Sequence, residues 1–353
     1  MPFARCWQIH LPNDLGGSVR LFQSIFGLGD SAGGYPESLI ELATERAVEC
    51  TDARLRFLPG YRKRLRRPIV QAIDHVVALV DAIPSPASTS ASARSDDPVL
   101  SALFASGDAM RDTFARDAAL TEFLATADGT GAEQVNALLL TERAERNILG
   151  MDLVGEQVRR DVPQVAVSFT AHRLLDPSAS EAETRRQLRR RAFDHLLTLA
   201  LGRIAETRTE RAELMRQRDL LRRKLAALEQ AGWSFERPAS AHPDRAALEG
   251  ELDDITAQLE VLGAEQGVLA AHLDILAELL ADAPRQLWAD RLTLFLDPMN
   301  IQRDSSDPTA RRIALWELTN SAGRRAVMVP LTIMPRDLPE REDLVTAAER
   351  YLR

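Results

Sequence analysis

The chain has 353 residues, 45% of them apolar but only 5% aromatic, with 44 Lys and Arg against 52 Asp and Glu for a net charge of −8. That length suits two or three domains with aliphatic cores, and the scarcity of aromatic residues favours helix packing over a large β-sandwich. The acidic balance disfavours whole-molecule attraction to nucleic acid or anionic lipid, and Cys6 and Cys50 are too few and too far apart for a disulfide framework or a zinc motif.

Residues 1–35 are punctuated by Gly16, Gly17, Gly27, Gly29, Gly33 and Gly34 and read as irregular. Pro36 opens a helix with Leu39, Ile40, Ala43, Ala47 and Val48 on one face, and Pro59-Gly60 stops it. A second helix runs through Ile69, Ile73, Val76, Val77 and Val80 to about Pro84. The Pro- and Ser-rich stretch 84–95 reads as a flexible linker. Helices are expected at 98–127 and 131–160, broken at Asp128-Gly129 and stopped before Pro163. Alternation in Val165–Phe169 marks a strand. A long helical region follows from about 181 to 283, then strands at 291–297, 311–318 and 325–333. Asn320-Ser321-Ala322-Gly323 forms a turn between the last two, and Pro330 argues for an edge strand or a bulge. A short helix from Arg341 to Leu352 completes the pattern.

Within the long helical region, Leu248, Leu252, Ile255, Leu259, Leu262, Gln266, Leu269, Leu273, Leu276 and Leu280 repeat with the 4-3 spacing of a coiled-coil seam. The preceding segment offers a matching series that includes Leu214, Leu221, Leu225 and Leu228. The connector 232–243 contains Gly232, Pro238 and Pro243, which a helix cannot run through. Antiparallel folding sets Leu228 near Leu248, Leu221 near Ile255 and Leu214 near Leu262. Arg211 then falls beside Gln266 as one polar, register-fixing layer. Charge agrees: residues 185–230 carry 13 basic against 6 acidic side chains, net +7, whereas 243–282 carry 10 acidic and one Arg, net −9. Each arm repels its own copy and attracts the other.

The expected architecture is therefore mainly α within an α+β class. An N-terminal helical bundle (1–83), a linker (84–95) and a helical region (96–162) precede a small antiparallel β-sheet domain (163–353). A long antiparallel coiled-coil hairpin, about 181–283, is inserted into that sheet and projects from it. The favoured function is a non-catalytic, cytoplasmic scaffold or adaptor with protein partners, engaged through the hairpin or through Trp233 and Phe235 at its tip; an oligomer is compatible with this. No cofactor or metal is expected. The six histidines, at 10, 75, 172, 195, 242 and 272, form no metal motif, and His195 and His272 read as ordinary helix-surface residues.

Two other readings follow from local clusters. Arg62, Lys63, Arg64, Arg66 and Arg67 concentrate five positive charges, enough to contact several phosphates of a nucleic acid. A second basic run, Arg185–Arg191, has the same density. Gly29-Asp30-Ser31-Ala32-Gly33-Gly34 contains G-x-S-x-G and resembles the nucleophile elbow of the hormone-sensitive-lipase-like esterases among the α/β-hydrolases. That resemblance implies a serine nucleophile at Ser31. It covers six residues, with no HGG upstream and no alternating βα units downstream.

Overall fold

A computed structural model of the chain describes residues 34–90, 93–154, 157–231, 245–261 and 267–339. Of these, 55% are helical and 26% lie in strands, a mixed α+β composition built on an antiparallel sheet. The fold divides into two compact units.

Among the described residues, the first unit comprises His75–Ala192 and 284–339. Its strands are β1 (Ala87–Ser88), β2 (Val135–Val154), β3 (Gln157–Ser178), β4 (Leu287–Leu296), β5 (Arg311–Asn320) and β6 (Arg325–Ile333). The sheet order is β3-β2-β6-β5-β4, all antiparallel, and β1 adds to β6 in parallel. Residues 301 and 302 bridge the two margins of that order, pairing Ala166 with Ile301 and Leu296 with Gln302.

Here the structure corrects three expectations. The region 96–162 is helical only as far as Leu124, in α3 (Ala93–Asp96), α4 (Pro98–Leu103), α5 (Gly107–Ala115) and α6 (Ala118–Leu124). From Val135 it is strand, because β2 is buried on both faces. Val135, Ala137 and Leu139 enter one core with Phe114, Ile313 and Val327, while Leu138 and Leu140 enter another with Val80, Leu188 and Met328. A strand buried on both sides reads as a continuous apolar run instead of an alternating one. The expected linker 84–95 contains β1, and Thr89 donates its backbone N–H to the Thr332 carbonyl at 3.1 Å. Finally, Pro330 lies on a central strand. Thr332 directs its carbonyl toward β1, so Pro330, two residues earlier, faces the same side. It falls between Met328, the last partner of β5, and Leu331, the first partner of β1, where no ladder needs its missing donor.

The turn between β5 and β6 matches its sequence. Gly323 adopts φ 74° and donates to the Asn320 carbonyl, while the Asn320 side chain accepts from Ala322 and Arg324. Beyond Thr141, β2 keeps only β3 as a ladder partner. The resulting ribbon exposes Leu149 (70%) and Met151 (65%). Its edges carry Glu142, Arg143, Glu145, Arg146 and Pro163, residue types that discourage pairing with another strand.

Among the described residues, the second unit comprises 34–74 and Phe193–Ala283. It contains α1 (Glu37–Thr51), a 3-10 turn (Ala53–Phe57) and the first part of α2 (Tyr61–Asp81). Most of α7 (Glu181–Ala231), then α8 (Arg245–Val261) and α9 (Val268–Ala281), complete it. As the periodicity predicts, Leu39, Ile40, Ala43, Ala47 and Val48 are the buried stripe of α1. Residues 193–231 of α7 span roughly 58 Å at 1.5 Å per residue. Leu221 of α7 and Leu248, Ile255 and Leu259 of α8 share one buried cluster, against which Leu214, Leu225, Leu228 and Leu252 pack.

Candidate functional site

A cluster of charged groups around one buried carboxylate lies in the second unit and begins where α1 ends. Asp52 leaves the helix in an extended conformation, and its side chain caps the 3-10 turn by accepting from the Arg54 backbone N–H at 3.2 Å. The Arg54 guanidinium folds back on the same carboxylate, Nε to Oδ1 at 3.0 Å and a terminal nitrogen to Oδ2 at 2.9 Å. From α7, Arg208 also donates to Oδ2. From α9, His272 Nδ1 lies 2.9 Å from that oxygen. One carboxylate therefore holds groups from three segments distant in sequence.

Burial sets the electrostatics. The Asp52 and His272 side chains are 5% and 1% exposed, whereas the guanidiniums of Arg54 and Arg208 reach solvent. Burial alone would raise the Asp52 pKa. The hydrogen bonds from Arg54, His272 and the Arg54 backbone, with the charge of Arg208, outweigh it and hold the carboxyl well below the ordinary range. For His272, burial is the largest influence and lowers its pKa. The Asp52 hydrogen bond opposes that shift and the Arg208 charge adds to it. A carboxylate accepts only, so the proton on neutral His272 sits on Nδ1. Nε2 is buried and has no hydrogen-bond partner among the described residues. An imidazole this enclosed is not reached by a substrate, so the arrangement acts as a clasp between elements.

Further ion pairs join the same helices. Arg46 of α1 forms a two-pronged pair with Asp194 of α7 at 2.6 and 2.7 Å, and Arg64 of α2 meets Asp274 of α9. These account for much of the predicted cluster 62–67. Arg62 pairs with Glu45, which also accepts from Tyr61 and Arg56, and Arg66 pairs with Glu37. Burial pushes the Glu45 carboxyl up, but those three donors bring it below its ordinary value. Lys63 and Arg67 are exposed on the same helix. In the first unit, Arg185 caps α2 by donating to the carbonyls of Val80, Ile83 and Pro84. Arg189 meets Asp81, and Arg191 meets Asp176.

Of the other predicted residues, Arg211 is half-buried on α7. Ser31, Trp233, Phe235 and Gln266 lie outside the described residues, so the elbow-like segment, the tip and the polar layer do too. The reading of His272 as a helix-surface residue is overturned by its 1% exposure. A signal for this was present: α9 carries Leu273, Leu276, Leu279 and Leu280, more than one apolar stripe, and a helix apolar on several sides is enclosed on several sides. Among the described residues no helix is long and apolar enough to cross a membrane. Comparison with family models, characterised proteins and solved structures returns no match to this chain.

Proposed function

We propose that the protein is a non-catalytic scaffold that engages protein partners through an antiparallel coiled-coil hairpin made by α7 and α8. The observation that carries this reading is the leucine cluster shared by the two arms. A ladder already occupied by an internal partner leaves the outer faces and the connecting segment 232–243 for other proteins. Opposite net charges on the two arms, +7 and −9 by the residue counts above, favour this pairing over self-association of either arm. Trp233 and Phe235 are the contact residues in this proposal, and Arg211 with Gln266 sets the register.

Two measurements test it. A Leu221→Cys/Ile255→Cys variant should form an intramolecular disulfide whose yield does not depend on protein concentration. A concentration-dependent dimer instead would replace the hairpin with an intermolecular coiled coil. Replacing 232–243 with a Gly/Ser linker should abolish partner capture, and partners retained by that variant would remove Trp233 and Phe235 from the interface. A salt-sensitive DNA or RNA shift that vanishes on charge reversal of Arg64, Arg66 and Arg67 would put nucleic-acid association in place of the scaffold reading. Ester hydrolysis lost in Ser31→Ala would put catalysis there.

A further inference from the structure

We propose that the contact among Asp52, Arg208 and His272 is an acid-labile latch: proton uptake at His272 opens it and frees α7 and α9 from the 52–57 segment. The proposal is independent of the scaffold reading and concerns only how the second unit is held together.

The argument starts from the number of hydrogen-bond positions. Asp52 Oδ1 serves the backbone and side chain of Arg54. Oδ2 serves Arg54, Arg208 and His272 Nδ1 together. The carboxylate is saturated. Neutral His272 is accommodated because it gives one N–H to Oδ2 and leaves only a lone pair on buried Nε2. An added proton goes to Nε2, which would then be a buried N–H without an acceptor among the described residues. A buried donor left without a partner loses its hydration and gains nothing in return.

Charge points the same way. The groups facing the imidazole are Asp52 and Arg54 from the 52–57 segment and Arg208 from α7, whose guanidinium nitrogen is 3.5 Å from Nδ1. Two residues along α9, Asp274 is already paired with Arg64 of α2. An imidazolium would be a third cation around one carboxylate. Attraction to Asp52 opposes this, but that charge is shared with two guanidiniums, and desolvation is the largest influence on His272. Uptake of the proton is therefore coupled to exposure of the ring, which requires α9 to separate from the 3-10 turn.

The test compares the full chain with His272→Asn, whose side-chain amide N–H replaces Nδ1–H toward Asp52 without titrating. Thermal unfolding is followed between pH 8 and 5.5, with hydrogen exchange of 53–57, 205–212 and 268–276 normalised to the intrinsic rate at each pH. The wild-type chain should lose Tm on acidification by a few degrees more than His272→Asn, on the order expected for a single group. The additional exchange should be confined to those three segments. Equal pH slopes for the two proteins would overturn the latch. Should His272→Asn fail to fold, an NMR titration of the wild-type ring decides: His272 must stay neutral through pH 6.5 in the folded chain, and titration at or above that value refutes the proposal.

Discussion

The two units hold helix α7 through different buried groups. In the first, neutral groups join the ion pairs of Arg189 and Arg191 in fixing the start of α7: Thr184 donates to the Asn136 carbonyl at 2.9 Å, and its hydroxyl lies 2.8 Å from that of Ser178. The single Ser178 proton serves either Thr184 Oγ1 or the Ser180 carbonyl at 2.7 Å, and Thr332 donates to the Asn136 side chain. Ser180 in turn caps the helix by accepting from Glu183 N–H. In the second unit, α7 is held by one carboxylate shared among two guanidiniums and an imidazole with an orphaned nitrogen. Both arrangements anchor the same helix. The neutral one is satisfied at any pH where the protein folds, whereas the charged one depends on where protons sit.

Deleting a partner should expose that difference most strongly. Asp52→Ala leaves His272 and the arginines without their common acceptor, and breaking a buried pair this way costs about 3–5 kcal/mol. The loss should appear in denaturant unfolding monitored by probes in the second unit. Ile255→Ala tests the apolar seam nearby, at about 2–4 kcal/mol. Thr184→Val removes the hydroxyl between Asn136 and Ser178 and should cost about 1–3 kcal/mol, with the same value at pH 8 and pH 5.5. A larger loss for Thr184→Val than for Asp52→Ala would reverse the ranking of the two anchors.

The elements that the sequence makes legible are those with one buried face. The later part of β4 announces itself by alternation, with Leu292, Leu294 and Leu296 in one core, and α1 by its 3-4 spacing, because each pattern mirrors a single core. β2 does not: Leu138, Leu139 and Leu140 point alternately into two cores, and Glu142-Arg143-Ala144-Glu145-Arg146 has the composition of a helix. Tertiary pairing with β3 and β6 overrides that local preference. The clasp was illegible for a different reason. Asp52 and His272 are 220 residues apart, and neither sits in a motif. What links them is the packing of α9 against the 3-10 turn, which no local pattern encodes.

Acidification weakens both units, through different groups. The folded-state pKa of His272 is lowered from its ordinary 6.5, so the unfolded chain takes up the proton first. Its contribution to stability is complete above pH 6.5, declines as pH falls toward the folded value, and is constant below it. Asp52, lowered from 3.8, adds a second loss that begins only below that pH. The first unit holds a half-buried imidazole of its own, His172, packed against Phe104 and likewise lowered by burial. A global melting curve therefore mixes both histidines. The comparison is sharpened by probes local to each unit, with His172→Gln removing the first unit's slope and leaving that of the second.

The smallest effect is expected at Arg66, and it tests whether burial or charge count distinguishes the clasp. Arg66 makes a two-pronged contact with Glu37, its geometry as good as that of Arg54 with Asp52. The Arg66 and Glu37 side chains are 55% and 57% exposed, however, so water and salt compete for both. Arg66→Ala should leave the denaturation midpoint unchanged at physiological salt, whereas Asp52→Ala displaces it far. A matching displacement for Arg66→Ala would mean that the second unit is held by its surface ion pairs as a set. The enclosed carboxylate would then lose its distinct place, and the contrast with the neutral anchor of the first unit would become one of charge alone.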